Sequence, residues 1–317
     1  MPSWRRWPAL WLWIWLLGFF GLAAWGCRPE PNALPLEPAT RAPTTAQPVP
    51  TRAAARATPS LQPTASAPTA APGPASPTAP SWWRPAPGLT WQWQLTGPLE
   101  LDLPVAVYDL DAEEVPAEVV ARLHARGVRV ICYISVGSYE AWRADADRFP
   151  PEVLGKPYAG WPDERWLDIR RRDILAPILR ARLDRCAAKG FDAVEPDNIA
   201  LYTEDTGFPI TQEDNLRYAR WLAQEAHARG LAIGLKNGPT LVPDLVDIYD
   251  FAITEEAFYY DFAQAFTPFV ARGKAVFNAE YTDTGVDWPR ACQRSRALGF
   301  STILKRRELD AWVEFCP

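Results

Sequence analysis

The residues best suited to chemistry in this sequence are carboxylates that close apolar runs. Glu195 and Asp197 stand two apart in Val194-Glu195-Pro196-Asp197-Asn198, and Glu255 and Glu256 are adjacent in Thr254-Glu255-Glu256. Strand side chains two apart share a face, so Glu195 and Asp197 point the same way, while only one of Glu255 and Glu256 can join them. Two carboxylates facing one another across an opening can break a glycosidic bond. One protonates the leaving oxygen, and the other attacks the anomeric carbon or activates water. Parts for other mechanisms are scarce. The two histidines, His124 and His227, lie in matching helix-end strings, Leu-His-Ala-Arg-Gly and Ala-His-Ala-Arg-Gly, and read as solvated helix residues. A zinc site or a Ser-His-Asp triad therefore has little to build on.

The elements that must position these carboxylates alternate from residue 104 onward. Apolar runs at 104–110, 128–136, 166–169, 191–198, 231–237, 251–257, 274–281 and 300–305 predict eight strands. Helical patterns at 116–126, 173–189, 211–229, 262–272 and 289–298 separate several of them, most closed by a glycine. Short apolar runs joined through glycine-stopped helices predict parallel strands buried on both faces. Over some 230 residues this predicts a closed (β/α)8 TIM barrel, with an open doubly wound sheet as the alternative. No G-x-G-x-x-G follows any of the runs, so a dinucleotide site lacks its usual sign.

In such a barrel the site lies where the strands end. The predicted ends carry Asp109, Tyr133, Asp168, Glu195 with Asp197 and Asn198, Lys236 with Asn237, Glu255 with Glu256, Glu280 with Tyr281, and Lys305. Burying so many carboxylates without a task is costly, which predicts a functional cluster. The competing reading pairs Glu255 or Glu256 with Lys236 or Lys305 as a purely structural ion pair. Aromatic residues in the predicted loops, among them Trp142, Tyr158, Trp161 and Tyr259, suit stacking on sugar rings or plain packing.

Several strings together resemble glycoside hydrolase family 114: CYISVGSYE (132–140), VEPDN (194–198), GLKNG (234–238), ITEEAF (253–258) and GFSTILKRRELDAWVEFC (299–316). The resemblance spans roughly residues 89–317. It implies a TIM barrel, hydrolysis within galactosamine-containing polymers as an endo-α-1,4-polygalactosaminidase, and no metal or other cofactor. It also implies that Asp197 and Glu255 are the catalytic carboxylates, with Asp109, Tyr133, Glu195, Asn198, Lys236 and Asn237 lining the bound sugar. Glu256 and Glu280 join that lining by their strand-end positions. Ala257 stands where relatives often carry a cysteine.

Upstream, Arg5 and Arg6 precede an apolar run to Trp25, which predicts a signal peptide or membrane anchor over residues 1–26. Ala24-Trp25-Gly26-Cys27 resembles a lipoprotein box, with Cys27 as the lipidated residue. Residues 28–87 hold 16 of the 33 prolines, which predicts a disordered Pro/Ala/Thr-rich linker over 27–87 and a folded domain over 88–317. Together these place the domain outside the cell, held at the membrane by a lipid or the signal segment. Six arginines and two glutamates precede residue 81, leaving 27 basic and 36 acidic residues, a net charge of −9. That balance argues against nucleic acid and permits a cationic polysaccharide. Four further cysteines in an exported domain predict disulfides. Cys292–Cys316 is the favoured pair, since it ties the C-terminus to the last helix, and Cys132–Cys186 is left open. Two other functions remain at this stage: hydrolysis of a different amino-sugar glycan, and a non-catalytic polysaccharide-binding barrel.

Overall fold

The computed structural model describes residues 82–317. The predicted signal segment, Cys27 and the linker up to residue 81 lie outside these residues.

Eight parallel strands run around one sheet: β1 (Trp91–Gln94), β2 (Val107–Asp111), β3 (Arg129–Ser135), β7 (Ala193–Asp197), β8 (Ala232–Lys236), β9 (Phe251–Glu255), β10 (Val276–Tyr281) and β11 (Ser301–Lys305). A short ninth strand, β12 (Val313–Phe315), adds antiparallel to β11. An excursion between β3 and β7 forms a separate antiparallel sheet of β4 (Ser138–Glu140), β5 (Leu154–Tyr158) and β6 (Trp161–Leu167). Helices α1 (Ala117–Ala125), α2 (Arg172–Ala188), α3 (Gln212–His227), α4 (Val242–Leu245), α5 (Thr267–Ala271) and α6 (Trp288–Leu298) link the strands. Across the remaining seam Trp91 Nε1 donates to Ser301 O at 3.0 Å and Lys305 Nζ to Gln92 Oε1 at 3.0 Å, so β11 meets β1 and the sheet is nearly closed.

The barrel prediction holds with one strand exchanged for another. Residues 166–169 are not a barrel strand: Trp166 and Leu167 end β6 of the excursion, and Asp168 turns back to accept from Arg170 at 2.7 Å. The true first strand is Trp91–Gln94, which lies before the predicted start at residue 104. Its glutamines are buried because distant backbone groups satisfy them. Gln92 Nε2 donates to Ala311 O, and Gln94 Oε1 accepts from Glu100 N. The predicted helix at 262–272 is reduced to a 3₁₀ turn and the five-residue α5.

Strand parity sorts the interior. Val107, Ile131, Ala193, Ala232, Phe251, Phe277 and Ile303 form one buried cluster with Trp91 and Trp93. One pleat further on, the same face carries Asp109, Tyr133, Glu195, Gly234 and Ile253, and then Asp197, Lys236 and Glu255 at the strand ends. Gly234 is required in this row, since a Cβ there would meet the Phe251 ring at 2.5 Å. The larger apolar cluster, including Leu110, Val130, Leu179, Leu222 and Leu245, lies between strands and helices.

The ordered contacts begin before residue 88. Trp82 Nε1 donates to Asp250 Oδ1 at 2.9 Å, its ring stacks on His227 at 3.9 Å, and Pro85 O accepts from Ala275 N. The histidines are therefore not merely solvated. His124 Nε2 meets Asp192, and His227 Nε2 meets Asp250, each at 2.8 Å. Each aspartate also accepts a backbone N–H from the neighbouring strand, Val130 and Ile233 respectively. The faint sequence repeat is thus a repeated clasp between a helix end and two strand starts. Both disulfides form, Cys292–Cys316 and the undecided Cys132–Cys186.

Candidate active site

Lys236, the last residue of β8, is the hub. Its ammonium is almost sealed from solvent and touches Glu195 Oε1 at 2.7 Å, Asp197 Oδ1 at 2.9 Å and Glu255 Oε2 at 3.0 Å. The Trp93 ring lies beneath it at 4.5 Å. Burial works against the charged amine, but Asp197, Glu195 and Glu255 outweigh it and hold the lysine well above its usual range.

Each outer carboxylate has a tyrosine as well. Tyr133 Oη donates to Asp197 Oδ2 at 3.0 Å, and Tyr281 Oη donates to Glu255 Oε1. Burial, then the adjacent carboxylate, pushes both phenols well above their ordinary values, so they remain neutral donors. Asn237 grips Glu255 further: its Oδ1 accepts from Glu255 N at 2.9 Å and its Nδ2 lies 3.5 Å from Oε2. The backbone leaves the three strands in the same way. Asn198, Asn237 and Glu256, each directly after a strand-end residue, have φ of 60°, 47° and 56°. This left-handed exit is uncommon for non-glycine residues and turns the chain sharply away from the opening. Gly137 makes room for the first of these exits, since a Cβ there would meet Asn198 O at 1.7 Å.

The structure brings together Asp197, Glu255, Glu195, Lys236, Tyr133 and Asn237, as the strand-end reading expected. Asn198 stands at the edge, donating to Ser138 Oγ at 3.1 Å. Three expected lining residues sit elsewhere. Glu256 turns outward to Arg307 at 2.8 Å, because the left-handed turn carries it to the rim. Glu280 is sealed behind the site, accepting from Phe258 N, Tyr259 N and Asn278 Nδ2. Asp109 lies one layer below the mouth with no solvent exposure, so it cannot touch a sugar, and Glu195, expected to line it too, is equally sealed and meets the site only through Lys236.

The excursion supplies residues that the sequence reading passed over or named only as loop aromatics. Tyr158 ends β5 packed on Trp166, and burial together with the charges of Asp197 and Glu255 raises its phenol. Glu164 accepts from Ser138 Oγ at 2.6 Å. Burial, then the neighbouring Glu140 and Asp197, against the Ser138 hydrogen bond, lifts its carboxyl to about 7. Tyr158 showed in the sequence only as one aromatic among several, and nothing local marks Glu164, because both owe their importance to the pairing of the excursion sheet.

The family model for glycoside-hydrolase family GH114 matches residues 73–317. The chain belongs to that family, and it is a glycoside hydrolase. The crystal structure of Aspergillus fumigatus Ega3 in complex with galactosamine is 35% identical, covering 74% of this chain and 97% of that one, at a TM-score of 0.68. The glycoside hydrolase domain of PelA from Pseudomonas aeruginosa shares the fold at 15% identity and a TM-score of 0.58, covering 72% of this chain and 98% of that one. A Deinococcus radiodurans protein is 28% identical over 239 residues, 69% of this chain and 76% of its own length. The GH114 match begins 15 residues before the compositional boundary at 88, in line with the packing of Trp82 and Pro85.

Proposed function

We propose that this GH114 barrel cleaves internal bonds of α-1,4-linked galactosamine-containing polysaccharide by a retaining mechanism, with Asp197 as nucleophile and Glu255 as acid/base. The observation that carries this reading is the convergence of both carboxylates on one ammonium. Oxygens 2.9 and 3.0 Å from the same nitrogen lie within about 6 Å of each other, nearer the short spacing of retaining enzymes than the wider one that admits a water. In the first step Asp197 forms a bond to the anomeric carbon as the glycosidic C–O bond breaks, and Glu255 delivers its proton to the leaving oxygen. Water then attacks the same carbon, Glu255 takes a proton from it, and Asp197 leaves. Lys236 holds both carboxyls in register, and the anionic surroundings favour a sugar bearing a free amine. The galactosamine bound by Ega3 supports that substrate class. Export-type residues at the N-terminus, with two disulfides, support a location outside the cell, tethered to the membrane through Cys27 or the signal segment.

The test is Asp197→Asn and Glu255→Gln against polygalactosamine, with product length read by chromatography. Each variant is expected to lose at least about 10³-fold in kcat. With azide and an activated glycoside, Glu255→Ala should release the α-glycosyl azide and Asp197→Ala the β-anomer. The opposite pair would exchange the two roles. Wild type that binds the polymer without shortening it would make the domain a binding module instead.

A further inference from the structure

Asp109 and Glu195 form a buried pair that the reaction above does not use. Asp109 lies on β2 and Glu195 on β7, with β3 between them, and both are wholly inaccessible to solvent. Their carboxyl groups are neighbours in the barrel interior, and the Glu195 charge is the largest acting on Asp109. Among the described residues, neither Asp109 oxygen nor Glu195 Oε2 meets any N–H or O–H donor.

The nearby donors are all accounted for. An ammonium has three protons, and those of Lys236 face Glu195 Oε1, Asp197 and Glu255, so none is left for Asp109. In register beside Asp109 stand Trp93 on β1 and Ile131 on β3. The Trp93 ring lies under the lysine, and among the described residues its Nε1 has no acceptor. The charged groups acting on Asp109 are Glu195, Lys236 and Asp197. Two neighbouring ionised carboxylates, with no donor between them and no water access, repel one another at full strength in a poorly polarisable interior.

We propose that Asp109 and Glu195 share one proton, making Asp109 a buried neutral acid that donates to Glu195 Oε2 and so positions Glu195 beneath Lys236. Glu195 then uses one oxygen to receive that proton and the other to receive the ammonium. One negative charge fewer surrounds the single cation, and Lys236 is left directed at Asp197 and Glu255. Burial and the Glu195 charge, which raise the Asp109 carboxyl well above its usual range, agree with this state. Asp109 is thus a positioning residue. Its proton can be tested without substrate, whereas its part in catalysis rests on the reading proposed above.

The test compares Asp109→Asn, whose amide supplies the same donor without a proton, with Asp109→Leu, which supplies none. Infrared difference spectra at pH 8 should show a protonated-carboxyl C=O band in wild type that is missing in D109N. Glu195→Gln should lose it too, because its amide then donates to an ionised Asp109. The unfolded chain releases this proton near pH 4 and the folded chain keeps it, so wild type loses stability relative to D109N as pH rises. The gap in the unfolding equilibrium should grow by up to tenfold per pH unit between pH 5 and 8. On substrate, D109L should lose at least tenfold in kcat with KM little changed, and D109N should recover most of it. Absence of the band from wild type, or parallel stability curves for wild type and D109N, would overturn the shared proton whatever the substrate proves to be. Kinetics of D109N as poor as those of D109L would overturn the positioning role alone.

Discussion

Lys236 and Lys305 each close a barrel strand and each is sealed from water, yet their surroundings differ in one decisive respect. Lys236 meets three carboxylates, which hold its proton more tightly than water would. Lys305 meets only neutral oxygens, those of Gln92 Oε1 at 3.0 Å, Asp310 O at 2.8 Å and Trp312 O at 2.6 Å. Burial wins there, and its amine is pulled down to about 8. The two lysines teach that a buried cation marks chemistry only when charge opposes it. Faced by dipoles alone, it is a fastener, here pinning β1 and the C-terminal segment across the barrel seam.

Removing Lys236 should break the comparison most severely. In Lys236→Met, Asp197 and Glu255 lose the group that holds them together, and three carboxylates are left without their cation. A drop in kcat/KM of about 10³-fold is expected, as for loss of one preorganised electrostatic group at the reacting centre. Stability should fall as well, by about 3 kcal/mol, because the carboxylates stay in a dry site. A variant with more than a tenth of wild-type activity would show that the ammonium is a bystander.

Lys305→Met should reverse that pattern. Three acceptor oxygens lose their donor, at about 1–3 kcal/mol each, partly offset by removal of a desolvated charge. The net loss is expected near 2 kcal/mol, a Tm lower by about 6 °C, with kcat per folded molecule within about threefold of wild type. The pH dependence separates the lysines further. Below about pH 8 Lys305 is charged in both folded and unfolded chains and the burial cost is present in full. Between about 8 and the unfolded value near 10.4 the unfolded chain binds more protons, so the stability of wild type relative to K305M should rise with pH. For Lys236, whose folded value is raised, the contribution is complete below the unfolded value and is lost only above it. The gap between wild type and K236M should therefore stay flat from pH 7.5 to 10. Thermal melts across that range decide between the two behaviours.

The lysines also mark how much could be read without the fold. Lys236 and its partners sit at strand ends, and parallel strands with glycine-stopped helices announce themselves through local pattern, so this side of the barrel was legible. The side held by Lys305 was not. Trp91–Gln94 is four residues long, has no β-branched side chain, and buries two glutamines that are satisfied from 219 and 6 residues away. Residues 166–169 misled for the opposite reason. They look like a short buried strand because Trp166 and Leu167 end one, but its partners lie in the excursion sheet. Tyr158 and Glu164 reach the site through that same sheet, which no periodicity foretells. His124 and His227 showed as a repeated string, while the aspartates that give the string its purpose lie 68 and 23 residues on.

The smallest effect is expected one residue from one of the largest. Glu255 and Glu256 are adjacent, and sequence alone could say only that one of them faces inward. The left-handed turn at Glu256 sends its carboxylate to Arg307, which also holds Asp283 at 2.8 Å and stacks over the Tyr281 ring at 4.0 Å. Glu256→Gln thus leaves Arg307 with a partner and its place over Tyr281. A rim ion pair of this kind contributes about 0.5 kcal/mol, so Tm should move by no more than about 2 °C and kcat by less than about twofold. Glu255→Gln, one peptide bond away, should remove activity. If both glutamines were equally damaging, Arg307 would be steering Tyr281, and with it Glu255, through its pair with Glu256. The rim would then belong to the same electrostatic unit as Lys236. Equal damage from Arg307→Ala would confirm that coupling, and a neutral R307A would leave Glu256 itself in contact with the sugar.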